Sequence, residues 1–361
     1  MTTRVFNFGA GPAVLPTNVL KQMQEDLLAL PGIGMSVLEI SHRSSAFDEV
    51  LVTTEANIRS LASIPDDYHV LFMQGGATHQ FAMVPMNLFL KSRPADYVVT
   101  GSWAQKAAKE ASKCGAVRVA ATTEGEGFCR VPTAQEIDLN EASSYVHLTS
   151  NNTIFGTEWE SLPETGDVPS VIDASSNILS RPIDVARHGL IYAGAQKNLG
   201  PAGVTLVLIR SDLLERTPLS LPTMMRYGTF ADSRSLHNTP PVFAIYAVSL
   251  VTAWLLEQGG LVAIEERNKR KAGKLYAQID SSDFYRGTAL PNSRSRMNVT
   301  FRLPSTELDG RFVTEAADAG FAGLKGHRSV GGQRASIYNA FPEEGVDGLV
   351  SFMAEFERTN G

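Results

Sequence analysis

Short apolar runs alternate with helical segments over much of the chain, and this alternation limits the fold more than any other feature. Between residues 66 and 210 the runs are bounded by small or turn-forming residues. They cover residues 68–73, 96–100, 116–121, 145–149, 168–173, 190–193 and 204–209. Strands that are apolar on both faces and joined through helices are typical of a mainly parallel sheet covered on both sides. The sequence therefore predicts an α/β fold.

A charge-free stretch at 238–256 separates this part from a different C-terminal third. Its apolar portion, 242–256, is shorter than the roughly 20 residues that a bilayer requires. We interpret it as a buried helix that begins after Pro240-Pro241 and ends at Gly259-Gly260. Beyond it, a charged helix precedes mixed strands and helices, which predicts a smaller α+β domain. The predicted segments are a helix at 261–279, a strand at 297–303, a helix at 306–319, a strand at 335–339 and a helix at 346–358.

Composition and charge argue against several classes of protein. The chain of 361 residues is 43% hydrophobic with a formal net charge of −6, so no global basic field favours nucleic acid. Two cysteines, Cys114 and Cys129, are too few for a disulfide framework or a Cys-based metal site. The seven histidines show no metal-ligand spacing. The first residues reach Gly9 and Pro12 too early for the apolar region of a signal peptide, so we expect a soluble cytoplasmic protein without a membrane partner.

Lys197 stands alone among small residues, after the run at 190–193 and before Gly200 and Gly203. The pKa of a confined lysine shifts readily, as Schiff-base chemistry requires. A surface lysine between two strands explains this spacing equally well. Asp173 ends an earlier strand, and ligands of open α/β sheets bind at the carboxyl ends of strands. Lysine and aspartate are the pair that pyridoxal phosphate enzymes use, although a turn cap is the plain alternative for Asp173.

A possible phosphate cradle follows the run at 68–73. Gln74-Gly-Gly-Ala-Thr78 opens a helix, whose backbone N–H groups could bind a phosphate closely approached by glycines. A Gly-Gly turn is more often a plain connection. Two other phosphate motifs are absent, because Val14 stands where the dinucleotide fingerprint requires glycine and no Walker sequence occurs.

Several motifs taken together resemble the phosphoserine aminotransferase family, which belongs to the class V, fold-type I, pyridoxal-phosphate-dependent aminotransferases. They lie at residues 6–12, 41–43, 73–76, 80–81, 183–203, 237–241, 326–328 and 331–339. The similarity extends over essentially the whole chain. It implies a seven-stranded-type sheet with helices on both faces as a large cofactor-binding domain, residues 17–257. It also implies a small domain, residues 1–16 and 258–361, and a homodimer with shared active sites.

Residue by residue, the resemblance implies that Lys197 forms the internal aldimine with the cofactor and that Asp173 partners the ring nitrogen. Trp103 would stack on the ring, and Thr153 would bond the phenolic oxygen. Without the resemblance, Trp103 would be interpreted as an ordinary half-buried aromatic residue.

The resemblance also implies how phosphate groups are bound. The cofactor phosphate would lie among Ala77, Thr78 and Gln196, with Asn238 and Thr239 reaching in from a second subunit. The chain departs from many bacterial relatives at Thr78, where they often carry arginine.

For the substrate, the resemblance implies a pocket of cationic side chains. Arg334 would hold the α-carboxylate. His42 and Arg43, with a second subunit's His327 and Arg328, would hold the phosphate of phosphoserine or the side-chain carboxylate of glutamate.

The implied reaction is ping-pong transamination of 3-phosphohydroxypyruvate with L-glutamate, giving O-phospho-L-serine and 2-oxoglutarate. The implied pathway is serine biosynthesis and, in bacteria, also pyridoxine biosynthesis. A cysteine desulfurase of the same class needs a nucleophilic cysteine late in the chain, and none follows Cys129. An alanine–glyoxylate or serine–pyruvate aminotransferase stays open, although it would have little use for two His-Arg pairs. A non-catalytic phosphate-binding α/β protein is the alternative from another class.

Overall fold

The structure is a computed structural model that describes residues 4–361. Residues 1–3, which the predicted small domain includes, lie outside the described residues. The helices are α1 Thr17–Asp26, α2 Ser45–Ala62, α3 Gly76–Leu88, α4 Ser102–Ala111, α5 Ser211–Leu214, α6 Tyr227–Asp232, α7 Val242–Glu257, α8 Gly260–Asp280, α9 Thr306–Asp318 and α10 Glu343–Asn360. The strands are β1 Phe6–Asn7, β2 Tyr68–Met73, β3 Ala95–Val99, β4 Val117–Thr122, β5 Val146–Thr149, β6 Asn151–Asn152, β7 Thr157–Glu158, β8 Ser170–Asp173, β9 Leu190–Gly194, β10 Thr205–Arg210, β11 Arg286–Gly287, β12 Asn298–Arg302, β13 Phe321–Ala322 and β14 Gln333–Ser336.

A seven-stranded sheet forms the centre, in the order β2-β10-β9-β8-β5-β3-β4. Strand β10 runs antiparallel to both of its neighbours, and the other pairs are parallel. This confirms the predicted mainly parallel sheet. The carboxyl ends of β2, β3, β5, β8 and β9 meet at one edge, which we call the carboxyl edge and which is where open α/β sheets bind ligands.

The two faces of the sheet are covered by different helices. Side chains alternate between faces along a strand, so residues opposite one another in neighbouring strands share a face. One face packs against α3 and α4 in a core that includes Phe81, Ala104 and Tyr192. The other face packs against α1, α2 and α7, with Leu51 and Ile245 fully buried. The sheet is therefore covered on both sides, as its apolar runs predict.

Helix α7 confirms the predicted buried helix, since ten of its residues are buried. Within residues 4–361, no single helix combines the length and apolarity needed to cross a membrane. Helices α7 and α8 satisfy those criteria only as a pair, and the chain bends by 83° between them.

A smaller antiparallel sheet, β11-β12-β14, lies in the C-terminal third, and β1 pairs in parallel with β13. A separate hydrophobic cluster joins Phe8 to residues between Ala272 and Phe356. Strand β14 begins and ends earlier than the predicted strand at 335–339. The reason is the register with its partner: β12 starts at Asn298, which lies opposite Ser336.

Candidate active site

Lys197 lies in the turn that joins β9 directly to β10. The turn is closed at its base, where Ala195 N donates to Val204 O at 2.9 Å. Lys197 Nζ donates to Thr153 Oγ1 at 2.8 Å, which brings together two of the predicted site residues. Burial lowers the pKa of Lys197 to about 8, the charge of Asp173 opposes this shift, and the charge of Arg334 adds to it. A substantial neutral fraction near neutral pH is what a lysine needs in order to act as a nucleophile or base.

The N-terminal segment packs on the stem of this lysine. A Cβ at Gly11 would lie 3.6 Å from Lys197 Cγ, and the φ of Gly11 is +146°. Ala13 N donates to Gln196 O at 2.8 Å and fixes this segment against the turn. In the sequence this segment belongs to a motif of the resemblance, residues 6–12, and lacks the third glycine of a dinucleotide fingerprint. Its closeness to Lys197 was missed, although glycine next to Pro12 is a signal of a constrained backbone.

Asp173 ends β8 at the carboxyl edge and is 5% exposed. Its Oδ1 accepts from Ser175 N at 3.0 Å, so the turn cap that we considered as the plain alternative is present. Burial raises the pKa of Asp173, while hydrogen bonds from Ser175, the charge of Lys197 and the Tyr192 hydroxyl lower it. The aspartate is therefore buried next to the lysine and held in place by the turn.

Tyr192 and His147 form a hydrogen-bonded chain that reaches Asp173. The sequence analysis identified neither residue. Tyr192 lies opposite Asp173 in the register of β8 and β9. Its hydroxyl is 2.9 Å from His147 Nε2. Burial lowers the pKa of His147 to about 3, so the imidazole is neutral, and its Nδ1 has no partner among the described residues. A buried N–H without a partner is rarer than an unpaired acceptor, so we assign the proton to Nε2, which leaves the Tyr192 hydroxyl free to donate to Asp173.

Arg334 reaches the same place from β14. Its Nη1 donates to Thr153 O at 3.4 Å, and its Nε is buried without a hydrogen-bond partner in residues 4–361. The guanidinium therefore has donor capacity left, close to the lysine, which suits an incoming carboxylate.

The N-terminus of α3 forms the predicted cradle at the carboxyl edge. Its N-cap is Gly75, with φ of 91° and no side-chain capping bond, and Ala77 and Thr78 lie in the first turn. A Cβ at Gly75 would lie 2.6 Å from His79 Cβ, so glycine is required here. Met73, Thr205 and Gly194 are successive neighbours across the sheet, so this cradle and the Lys197 turn leave the same edge.

Two further predicted residues, Asn238 and Thr239, lie next to the cradle. Gln74 Nε2 donates to Thr239 O of the same chain at 3.2 Å. Asn238 is half-buried and Thr239 is exposed.

Trp103 lies in the first turn of α4, which begins directly beyond β3 at the carboxyl edge. The side chain is half-buried, and the Lys106 ammonium lies 4.2 Å from the centroid of its ring.

The two His-Arg pairs differ in their placement. Lys325 and Gln333 form an isolated antiparallel β-bridge. The loop between them carries His327 and Arg328, and Arg334 of the same chain follows Gln333 directly. The pKa of His327 is lowered by burial and by the charges of Arg334, Arg328 and Lys106. His42 Nε2 is buried without a partner within the described part of the chain, and Arg43 is exposed. No hydrogen bond among residues 4–361 joins either of them to Lys197 or Arg334.

A buried amide network, which no sequence motif indicates, connects the loop that carries Thr153 to the C-terminal sheet. Asn151 Nδ2 donates to Asn298 Oδ1 at 2.8 Å. Asn298 Nδ2 donates to Ser336 Oγ at 2.9 Å and to the Tyr338 hydroxyl at 3.2 Å. The Tyr338 hydroxyl in turn donates to Ala10 O at 2.8 Å.

These residues fit pyridoxal phosphate. Lys197 is a lysine of lowered pKa, Asp173 is buried beside it, and the first N–H groups of α3 lack a side-chain cap. The unpaired Nε of Arg334 supplies a donor for the substrate. The fold and the site together define a pyridoxal-phosphate-dependent transaminase.

Comparisons with known proteins narrow this class. The family model described as aminotransferase class-V matches residues 5–349. The phosphoserine aminotransferase of Desulfatibacillum aliphaticivorans is 56% identical, with all of both chains covered. The structure of phosphoserine aminotransferase from Bacillus circulans subsp. alkalophilus superimposes with a TM-score of 0.98 at 50% identity, again over all of both chains. A phosphoserine aminotransferase from Trichomonas vaginalis, solved with pyridoxal phosphate bound, gives a TM-score of 0.92 at 38% identity and covers 97% of this chain and 100% of its own. The chain belongs to the phosphoserine aminotransferase family within aminotransferase class V.

Proposed function

We propose that the chain catalyses the reversible transamination of 3-phosphohydroxypyruvate with L-glutamate, which yields O-phospho-L-serine and 2-oxoglutarate. The observation that carries this proposal is the closeness of four residues at the carboxyl edge. Thr153 accepts hydrogen bonds from Lys197 and Arg334, and the charge of Asp173 acts on Lys197. Substrates that bear two anionic groups match a site whose cations have spare donors.

Pyridoxal phosphate, when bound, supplies an electron sink for the carbanion formed at the substrate's Cα. Lys197 Nζ, with a pKa of about 8, would take the proton from the substrate's Cα as the neutral amine and, as the ammonium, would deliver it to the C4′ carbon of the cofactor. Asp173 holds the pyridine nitrogen of the cofactor, and the Ser175 N–H keeps the carboxylate oriented for this contact. Thr153 bonds the phenolic oxygen, and Trp103 covers the ring.

The phosphate of the cofactor is held by Ala77, Thr78 and Gln196, because α3 offers uncapped N–H groups. The resemblance implies that Asn238 and Thr239 of a second subunit complete this cradle, while Thr239 of the same chain contacts it through the main-chain oxygen that accepts from Gln74. Sharing of the two sites in this way requires a homodimer.

For substrate binding, we assign the α-carboxylate to Arg334, whose Nε is free to donate. The placement of His327 beside Arg334 supports assigning His327 and Arg328 to the site of their own chain. The pair that a second subunit supplies is then His42 and Arg43, which reverses the arrangement expected from sequence. The same subsite receives the phosphate of phosphoserine or the side-chain carboxylate of glutamate.

The wider assignments are also proposals. The domain division into 17–257 and into 1–16 with 258–361 is supported by the separate cluster that joins Phe8 to the C-terminal residues. We propose a cytoplasmic enzyme of serine biosynthesis that also contributes to pyridoxine biosynthesis.

An absorbance titration tests the function. The purified protein is mixed with pyridoxal phosphate as wild type, Lys197→Ala and Lys109→Ala, the last removing an exposed lysine of α4. We expect a band near the visible edge in the wild type and in Lys109→Ala, absent in Lys197→Ala. Phosphoserine should bleach this band, whereas alanine should not.

Two other outcomes would contradict the proposed function. A Lys197-dependent band that responds to alanine instead would move the function to another class V aminotransferase. The absence of any band would leave a phosphate-binding fold without this chemistry.

A further inference from the structure

Lys106 is a cation at the rim of the site that none of the assignments above uses. It is exposed, lies one turn into α4, and holds its ammonium 4.2 Å from the centroid of the Trp103 ring. Among the described residues it forms no ion pair, whereas Lys113, just beyond the same helix, pairs with Glu110 at 2.7 Å. Within residues 4–361, the Lys106 ammonium thus contacts the ring proposed to cover the cofactor and is not neutralised by an ion pair.

Lys106 belongs to a group of cations near His327. His327 is close enough to feel its charge, together with the charges of Arg328 and Arg334. No ion pair with a carboxylate balances Lys106, Arg328 or Arg334 within residues 4–361. Like charges gathered without a counter-ion disfavour one another, so a bound anion relieves their repulsion. A dianionic phosphate relieves it more than a single carboxylate.

The chemistry of lysine suits this task. The ammonium has three donors on a flexible stem, so it can turn from the ring toward an anion. A cation–π contact at an exposed site is weak, and leaving it is easily offset by a charge-assisted hydrogen bond to phosphate. The first turn of α3, Gly76–His79, contributes no lysine or arginine to the same region.

We propose that Lys106 binds the phosphate group of phosphoserine and favours phosphorylated over unphosphorylated amino acids. This inference rests on the proposed function, since it assumes that phosphoserine occupies the site beside Trp103.

The test is an equilibrium titration of the holoenzyme with O-phospho-L-serine, followed by the absorbance of the bound cofactor. The variants are Lys106→Met, Lys106→Arg and Lys109→Met, the last altering an exposed lysine one turn further along α4. We expect the half-saturating phosphoserine concentration to rise about tenfold in Lys106→Met, the size of one lost hydrogen bond to a charged group. Lys106→Arg should stay within about threefold of the wild type, and Lys109→Met should match it.

A second titration with L-glutamate, and the affinity for pyridoxal phosphate itself, separate the phosphate role from a role in supporting Trp103. We expect Lys106→Met to change the glutamate titration less than the phosphoserine titration and to leave cofactor affinity unchanged. An unchanged phosphoserine titration would overturn the inference. So would equal weakening for both amino acids together with loss of the cofactor, because Lys106 would then only support the ring. If phosphoserine does not change the absorbance band of the wild type, the proposed function itself fails. This outcome needs no variant, and it removes the basis of the inference.

Discussion

Two regions of this molecule are rich in buried aromatic residues, yet they use them differently. In the C-terminal core, Phe312 packs against Phe301, Phe352 and Phe356 with ring centroids 5.1–5.7 Å apart and no polar atom involved. On the α3-facing side of the large sheet, phenyl rings such as Phe81 are joined by aromatic residues whose hydroxyls or ring nitrogens form side-chain hydrogen bonds. The pairs are Tyr97 with Tyr145 at 2.9 Å, His147 with Tyr192 at 2.9 Å, and Tyr227 with Gln80 at 2.7 Å.

The difference follows from what each region supports. Phenyl rings give burial and edge-to-face packing without the need for partners. A buried hydroxyl must be paired, but once paired it fixes the orientation of its neighbour. Only the sheet face has a neighbour that needs orienting, Asp173. In the C-terminal core, by contrast, the buried Tyr285 hydroxyl donates to a main-chain oxygen, Met353 O, at 2.9 Å and orients no side chain.

The largest expected effect comes from Phe312→Ala in the apolar core. This side chain is fully buried, so its loss should lower the free energy of unfolding by about 3–5 kcal/mol. Urea denaturation measures the loss, and Leu219→Ala, at an 82% exposed position, serves as the control with little change. The cofactor absorbance of the folded variant should equal that of the wild type. A changed band would show that the two regions are not independent.

Asn298→Ala should affect both regions, because Asn298 links the loop of Thr153 to β14. Its removal leaves Asn151 and Ser336 with unpaired buried groups, which costs about 1–3 kcal/mol of unfolding free energy. The same change loosens Arg334 relative to Lys197, so the KM for glutamate should rise more than kcat falls. Steady-state kinetics beside urea denaturation distinguish this result from a purely structural loss, in which KM would stay constant.

Tyr192→Phe should act on the reaction more than on stability. The Tyr192 hydroxyl lowers the pKa of Asp173, so its removal raises that pKa and reduces the ionised fraction at low pH. We expect kcat to fall by about tenfold, consistent with one hydrogen bond to a charged group, and more steeply toward acid pH. Tyr227→Phe is the matched control, because it also removes one buried hydroxyl but one that bonds Gln80. Equal losses of kcat in both variants would contradict an orienting role for Tyr192.

The smallest effect concerns the pH at which Lys197 captures pyridoxal phosphate. Because its pKa is about 8 instead of 10.5, the capture rate in apoprotein should rise with pH and reach half its maximum near pH 8. Asp173→Asn removes a charge that raises this pKa, so the midpoint should move down. Arg334→Gln removes a charge that lowers it, so the midpoint should move up. Each shift should be about one pH unit or less, since both are secondary to burial.

Stopped-flow absorbance after mixing apoprotein with the cofactor measures these midpoints. A wild-type midpoint near pH 10 would mean that the lysine behaves as if exposed. Shifts of the same sign in both variants would mean that the charges of Asp173 and Arg334 do not act directly on Lys197.

Much of the fold could be predicted because buried strands and helices appear in the sequence as runs of apolar residues. The apolar runs at 68–73 and 190–193 fall on β2 and β9, and the charge-free stretch falls on α7. The direction of β10 could not be read from its run at 204–209, because an apolar strand has the same composition in either direction. Only the short connection around Lys197, without a helix, carried that information.

The candidate site could be predicted where chemistry demands a residue type, as for Lys197 and Asp173. It could not be predicted where geometry comes from register. Tyr192 meets Asp173 only because β8 and β9 are paired in a particular alignment, which a single sequence does not display. The placement of His327 beside Arg334 likewise depends on the fold of a loop.

The direct connection of β9 to β10 has a consequence for motion during the proposed reaction. The backbone on both sides of Lys197 is tied into the sheet, by Ala195 at one end and by its partner Val204 at the other. The ammonium can therefore move only by rotation about its own side-chain bonds. Side-chain rotation is a local motion, unlike the domain motions that take microseconds to milliseconds. Reorientation of the Lys197 ammonium thus requires no movement of the sheet, so a large conformational step in the proposed reaction is expected outside this turn.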